Sequence, residues 1–167
     1  MALPSFALQS GMIRQPLVVS PDLLLGDAIA QLNQARQAMI TTRWEYQAIS
    51  QASCFVVMDN TQVVGLLSEQ DIVIALGTTA ATHRWQTLPL SQVMTQPVVT
   101  APVSALPDLD AVLDCFDRHQ TRYIVLLGDN GQLVGLLTPD SVLPLLRSRT
   151  KPAISTVPTL NPVLEQA

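Results

Sequence analysis

The sequence predicts a mixed α/β protein of two β-α-β-β-α units. Three observations lead there. The chain repeats itself: Gln15-Pro16-Leu17-Val18-Val19-Ser20-Pro21 matches Gln96-Pro97-Val98-Val99-Thr100-Ala101-Pro102, and Asp59 to Ser68 matches Asp129 to Thr138. Short apolar runs bounded by Pro, Asp, Asn or Gly recur in both copies, as strands do. Between them lie stretches with apolar residues at helical spacing.

The first match has an offset of 81 and the second of 70, so the first repeat carries 11 extra residues before its hairpin. They fall within 33–53, which holds Arg36, Arg43 and Trp44. The expected organisation is repeat one at 12–77, a linker at 78–90, repeat two at 91–149, and a loose tail at 150–167 containing Pro152, Pro158 and Pro162.

Each repeat opens with a β-rich run, Leu17 to Val19 or Val98 to Thr100. Pro21 and Pro102 are expected to end it, because proline cannot donate to a ladder. A helix follows. In repeat two, Leu109, Val112, Leu113 and Phe116 form the i, i+3, i+4, i+7 stripe; Ile29 and Leu32 begin a weaker version in repeat one. Two strands then form a hairpin. Phe55 to Met58 and Val63 to Leu67 flank Asp59-Asn60-Thr61-Gln62, while Tyr123 to Leu127 and Leu133 to Leu137 flank a turn with Asp129-Asn130-Gly131. The last helix starts at Ser68 or Thr138. Its apolar face is Ile72, Ala75 and Leu76 in one copy and Val142, Leu145 and Leu146 in the other. Strands so continuously apolar predict sheets covered by helices.

Bulk properties exclude several classes. At 48% hydrophobic and 13% charged residues the chain is too apolar for a disordered protein. Nine scattered Lys and Arg against thirteen acids give no basic face for nucleic acid. No apolar run approaches the ~20 residues of a membrane span. Met1 to Met12 has no basic region ahead of an apolar stretch, so no signal peptide is expected and cytoplasmic residence is the default. Cys54, Cys115, His83 and His119 show no zinc spacing, so no metal is expected and the cysteines read as buried thiols.

The most informative segment is Gly65-Leu66-Leu67-Ser68-Glu69-Gln70-Asp71. Glycine in a strand lets another group approach the backbone. Ser68 can cap the helix, and Asp71 lies three residues on, beside exposed N–H donors and partial positive charge that suit a phosphate. A carboxylate there can accept hydrogen bonds from both hydroxyls of a ribose. The same Ser-x-x-Asp spacing also resembles a capping box with no ligand at all. The second copy, Thr138-Pro139-Asp140-Ser141, keeps the features of a helix start but has Ser141 where the ribose acceptor would stand.

The doubled pattern resembles the CBS domain family, named for cystathionine β-synthase. The marks are Met94-Thr95-Gln96-Pro97 ahead of repeat two, the strand-proline starts and the Gly-apolar-apolar-Ser/Thr corners, over residues 12–147. The insertion and Arg118 to Tyr123 also resemble paired CBS segments at the start of bacterial sensor histidine kinases, though no kinase motif follows. The resemblance implies two repeats packed with pseudo-twofold symmetry into a disc that commonly forms homodimers, with clefts for AMP, ADP, ATP or S-adenosylmethionine and an effector domain or protein that reads the bound state. It implies that Asp71 contacts ribose with Ser68 nearby. Ala52, Ser53 and Cys54, or Arg122 and Tyr123 in repeat two, would line the adenine and phosphate regions. Arg122 would be the phosphate partner of the Asp71 cleft. Val18 would approach the base, at a position where the family often has Thr. The Ser141 corner would be vestigial.

The remaining conspicuous residues read as structural. Arg36 and Arg43 suit the polar face of an extended helix, and Trp44 and Trp85 suit packing. His83 and His119 join no catalytic motif, and the sequence has no nucleophile elbow, Walker loop or His-Glu-x-x-His. A regulatory nucleotide sensor is therefore the leading expectation. A ligand-free dimerisation or docking module is the alternative, and an enzyme ranks last.

Overall fold

The computed structural model describes residues 11–42, 53–79 and 84–149. Repeat one contains β1 (Leu17–Val19), α1 (Leu25–Thr42), β2 (Cys54–Asp59), β3 (Gln62–Ser68) and α2 (Glu69–Thr79). Repeat two contains β4 (Thr100–Pro102), α3 (Leu109–His119), β5 (Ile124–Leu127), β6 (Leu133–Leu137) and α4 (Pro139–Arg149). The two three-stranded sheets share one topology. The first strand lies parallel to the second, which forms an antiparallel hairpin with the third. This is the expected mixed α/β doubling.

Both hairpins turn on residues that tolerate positive φ: Asn60 at 53° and Gly131 at 78°. The helix α3 begins at Asp108, whose carboxylate accepts from the Ala111 N–H at 2.9 Å. It ends at Gln120 in the left-handed region, which satisfies the last carbonyls and sends the chain into β5.

The strand β4 begins two residues later than its sequence match predicts. Leu17 pairs with Phe55, and Thr100, not Val98, pairs with Val125. Because the hairpins keep their offset of 70, the first strands are offset by 83, and repeat one is longer by 13 residues, not 11, over this interval. Pro102 closes the strand from within it. It is tolerated because β4 is an edge strand, where one side of the backbone needs no ladder donor.

Strand alternation builds three cores. Phe55, Val57 and Leu67 face the helices of repeat one, while Ile124, Leu126 and Leu137 face those of repeat two. The opposite faces carry Cys54, Val56 and Leu66 from one sheet and Val125 and Leu136 from the other, and these meet in a shared core. This explains the nearly unbroken apolar strands: each sheet is covered by helices on one side and by its twin on the other. Each fully buried Val, Leu or Phe contributes on the order of 2 kcal/mol of transfer free energy.

Part of the stretch between the repeats is ordered against repeat one. Trp85–Thr87 and Leu90–Gln92 form short 3-10 turns. The Leu25 N–H donates to Leu88 at 2.8 Å and the Leu90 N–H to Leu23 at 2.9 Å. Trp85 packs against the repeat-one core, and Leu90 is buried in it. The helix α1 absorbs much of the extra length of repeat one, and its Arg36 pairs with Glu69 at the start of α2. Arg43, Trp44, Ala52, His83 and the 150–167 tail lie outside the described residues.

Candidate ligand-binding site

The segments leading into the repeats cross over. The Thr95 N–H donates to the Leu66 carbonyl at 2.8 Å, and the Leu66 N–H returns the bond at 3.1 Å, so the lead-in to repeat two extends the sheet of repeat one. Ile13 does the same with Leu136 of repeat two, at 2.9 and 3.0 Å. The glycines Gly65 and Gly135 make room for it: the Met94 side chain lies against Gly65, and Met12 against Gly135.

The crossing builds a cavity of about 320 Å³ from both repeats. Repeat one supplies Ser68, Gln70 and Asp71 from the strand-to-helix corner. Repeat two supplies Thr95 and Pro97 to Val99 from its lead-in, and Gln120 to Tyr123 from the turn before β5. A ring between Thr121 and Tyr123 holds that turn. The Tyr123 N–H donates to the Thr121 hydroxyl at 3.2 Å, and this hydroxyl donates to the Tyr123 carbonyl at 3.0 Å. Arg122 is thereby displayed on the surface. A second hollow of about 260 Å³ adjoins the first and shares Ser68, Gln70, Arg122 and Tyr123 with it. It runs to Thr138, Pro139 and Asp140 of the other corner, with Ser53 on its wall.

At the corner of repeat one the capping pattern is realised, and one carboxylate oxygen stays outside it. The Ser68 N–H and hydroxyl donate to Asp71 Oδ2 at 2.7 and 2.6 Å, and the Asp71 N–H donates to the Ser68 hydroxyl at 3.3 Å. That is a reciprocal capping box with Asp as its last member. The other oxygen, Oδ1, accepts from the Thr95 hydroxyl at 2.7 Å, and both residues line the cavity. In repeat two, Ser141 completes the same box. The Thr138 N–H donates to its hydroxyl at 2.9 Å, and the Ser141 N–H donates to the Thr138 hydroxyl at 3.0 Å. At the place equivalent to Thr95 stands Ile13, 4% exposed. Donor and carboxylate are thus replaced together in the second cleft.

Ser68, Asp71, Arg122 and Tyr123 are brought to one cavity, and Ser53 reaches the adjoining hollow. Cys54 is buried in the shared core. Burial pushes its thiol up to about 12, with the Asp71 charge acting in the same direction and a Ser53 hydrogen bond opposing. It lines neither hollow, unlike the ligand-lining role the resemblance implied, and packs as a protonated thiol at neutral pH. Tyr123 is also raised, chiefly by burial, then by the nearby Cys54, while Arg122 pulls it down. Val18 does not reach the Asp71 cavity. It lies on β1 of repeat one, about half exposed, and the corresponding wall is made by Val98 and Val99. Thr95 and Pro97 to Val99 are the site residues that reading each repeat as a closed unit misses. Their signal was the Met94-Thr95-Gln96-Pro97 motif itself, which marks a lead-in and not a strand of the same repeat.

The CBS domain family model matches residues 7–78 and 90–148. The chain belongs to the CBS domain family. Such tandem pairs are generally regulatory and bind adenosyl ligands. Solved structures share this fold at low sequence identity. Staphylococcus aureus OpuCA is 21% identical, with 84% of this chain and 98% of that chain covered and a TM-score of 0.57. The CBS-domain containing protein ATU1752 from Agrobacterium tumefaciens is 21% identical, covering 80% and 85%, with a TM-score of 0.61. The cytosolic domain of the Mg2+ channel MgtE in complex with ATP is 18% identical, covering 80% of this chain and 46% of that chain, with a TM-score of 0.57. No curated protein matches in sequence. Among the described residues no helix is long and apolar enough to cross a membrane, and no group of three His, Cys, Asp or Glu could hold a metal ion.

Proposed function

We propose that this CBS pair is a regulatory sensor, not an enzyme, that binds one adenosine-containing ligand in the Asp71 cavity. The observation that carries the reading is that cavity's composition. A carboxylate, a helix start, Arg122 and an apolar wall of Val98 and Val99 converge from two repeats. Its volume falls at the lower end of the ~300–1,000 Å³ of small-molecule sites. Asp71 would take the ribose hydroxyls, and Arg122 at the mouth would meet the phosphate. The described side chains here offer binding groups, while the one buried thiol, Cys54, is held protonated. AMP, ADP, ATP and S-adenosylmethionine are the candidate ligands, and the cytoplasm is the compartment proposed. Ligand binding would alter how the repeats, or two paired discs, sit together, and an effector would read that change.

The test is a thermal-shift panel with AMP, ADP, ATP, cyclic di-AMP and S-adenosylmethionine, followed by calorimetry. A native-state binder must raise the melting temperature. No response to any of them at millimolar concentration would overturn the reading. Loss of binding in Asp71→Ala, with the fold intact, would support the site.

One observation favours a second reading, a ligand-free dimerisation module. Asp71 already holds three protein donors. In addition Val73, Ile74 and Leu143 leave apolar side chains exposed on α2 and α4. That reading requires a dimer whose melting temperature ignores every nucleotide.

A further inference from the structure

Thr95 is a second-repeat residue whose hydroxyl is aimed at a first-repeat carboxylate, 24 residues away in sequence. A carboxylate offers about four acceptor positions. Ser68 fills two on Oδ2, and Thr95 fills one on Oδ1. One position remains. A ribose that presents two adjacent hydroxyls to Asp71 needs two, so one resident donor must leave.

The two donors are not equally easy to displace. Ser68 is 7% exposed, and its N–H and hydroxyl belong to the capping box of α2. Evicting them would strand a buried amide and uncap the helix. The Thr95 side chain is exposed, and its hydroxyl can turn to water at little cost. Its backbone stays paired with Leu66 either way. The yielding donor is Thr95.

On the reading that the cavity holds an adenosine ligand, we propose that Thr95 is a specificity-determining residue. Its hydroxyl is a built-in competitor for Asp71 that a ribose 2′,3′-diol displaces and a 2′-deoxyribose does not. A single hydroxyl takes the vacant position on Oδ1 and leaves the Thr95 bond in place. The diol gains a second bond only at the expense of the resident one. The second cleft is consistent with a coupled pair, because competitor and target are absent together, as Ile13 and Ser141.

The experiment measures affinities of the full chain for AMP and ATP, each beside its 2′-deoxy form, in wild type, Thr95→Val and Thr95→Ser. Valine keeps the shape and removes the donor; serine keeps the donor. The expected result is about tenfold tighter binding of the ribonucleotides by Thr95→Val, the worth of one hydrogen bond to a charged acceptor. The 2′-deoxy forms should change less than about twofold, and Thr95→Ser should match wild type. Equal shifts for ribo- and deoxyribonucleotides, or weaker ribonucleotide binding by Thr95→Val, would overturn the competitor role while leaving the adenosyl site standing. Binding detected only in Thr95→Val would support it. Failure of every protein to bind any of the four would overturn the site itself, and the competitor role with it.

Discussion

Met12 lies over Gly135 so closely that a β-carbon on the glycine would come within 2.6 Å of the Met12 thioether and 2.8 Å of the Ile13 carbonyl oxygen. The equivalent glycine, Gly65, is approached by Met94 through side-chain atoms only among its three nearest neighbours. A flexible methionine can swing away, but a carbonyl committed to the Leu136 N–H cannot. Gly135→Ala is therefore expected to cost about 1–3 kcal/mol, and Gly65→Ala distinctly less. Chemical denaturation of both variants checks the order; equal costs would contradict it.

The capping boxes differ in their last member but not in their purpose. Ser68→Ala and Thr138→Ala should each lower stability by about 1 kcal/mol. The larger loss belongs to Thr138→Ala, because Thr138 and Ser141 are both 4% exposed and the Ser141 amide would lose its acceptor in a buried place. Denaturant midpoints at unchanged slope would show this. A more severe loss from Ser68→Ala would reverse the assignment.

Calorimetry should find one adenine nucleotide per chain. The cleft at Ser141 has Ile13 in place of Thr95 and a hydroxyl in place of a carboxylate, so it offers a ribose no charged acceptor. Two sites of equal affinity would contradict this asymmetry.

Arg122 is exposed and lines both hollows. Arg122→Gln is expected to weaken AMP about tenfold, as for a lost charge-assisted bond, while free adenosine changes less than about twofold. An equal loss for both ligands would place Arg122 away from the phosphate.

The alkaline limb of the stability profile should carry the mark of Cys54. Its thiol is raised from 9.0 to about 12 in the folded chain. The unfolded chain releases this proton first, so the stabilisation is fully present below about pH 9 and is lost as pH rises towards 12. The slope contributed is at most about 1.4 kcal/mol per pH unit. Tyr123, also raised, acts in the same direction from its ordinary value of 10.0 upward. Cys54→Val should flatten the limb between pH 9 and 12, measured by denaturation at each pH; an unchanged slope would mean that the thiol is not the titrating group.

The amino-acid sequence by itself determined the doubling, the element order and the chemistry of each corner. These depend on local rules. Strand runs such as Phe55 to Met58 are legible from their apolar character, and the hairpin turns from Asp, Asn and Gly. Ser68 and Thr138 are legible as helix starts because a cap is satisfied within four residues. Only the tertiary structure decided which repeat serves which cleft. Val18 and Val99 are matched in sequence, yet Val99 lines the Asp71 cavity because the chain leading into repeat two pairs with β3 of repeat one. The two-residue slip of β4 likewise follows from pairing with Val125, a partner remote in the chain. The opening match thus becomes an exchange. The pattern of each unit is local and can be read along the chain, while its partner is chosen by burial of Val56, Leu66, Val125 and Leu136 in a core that neither repeat possesses alone.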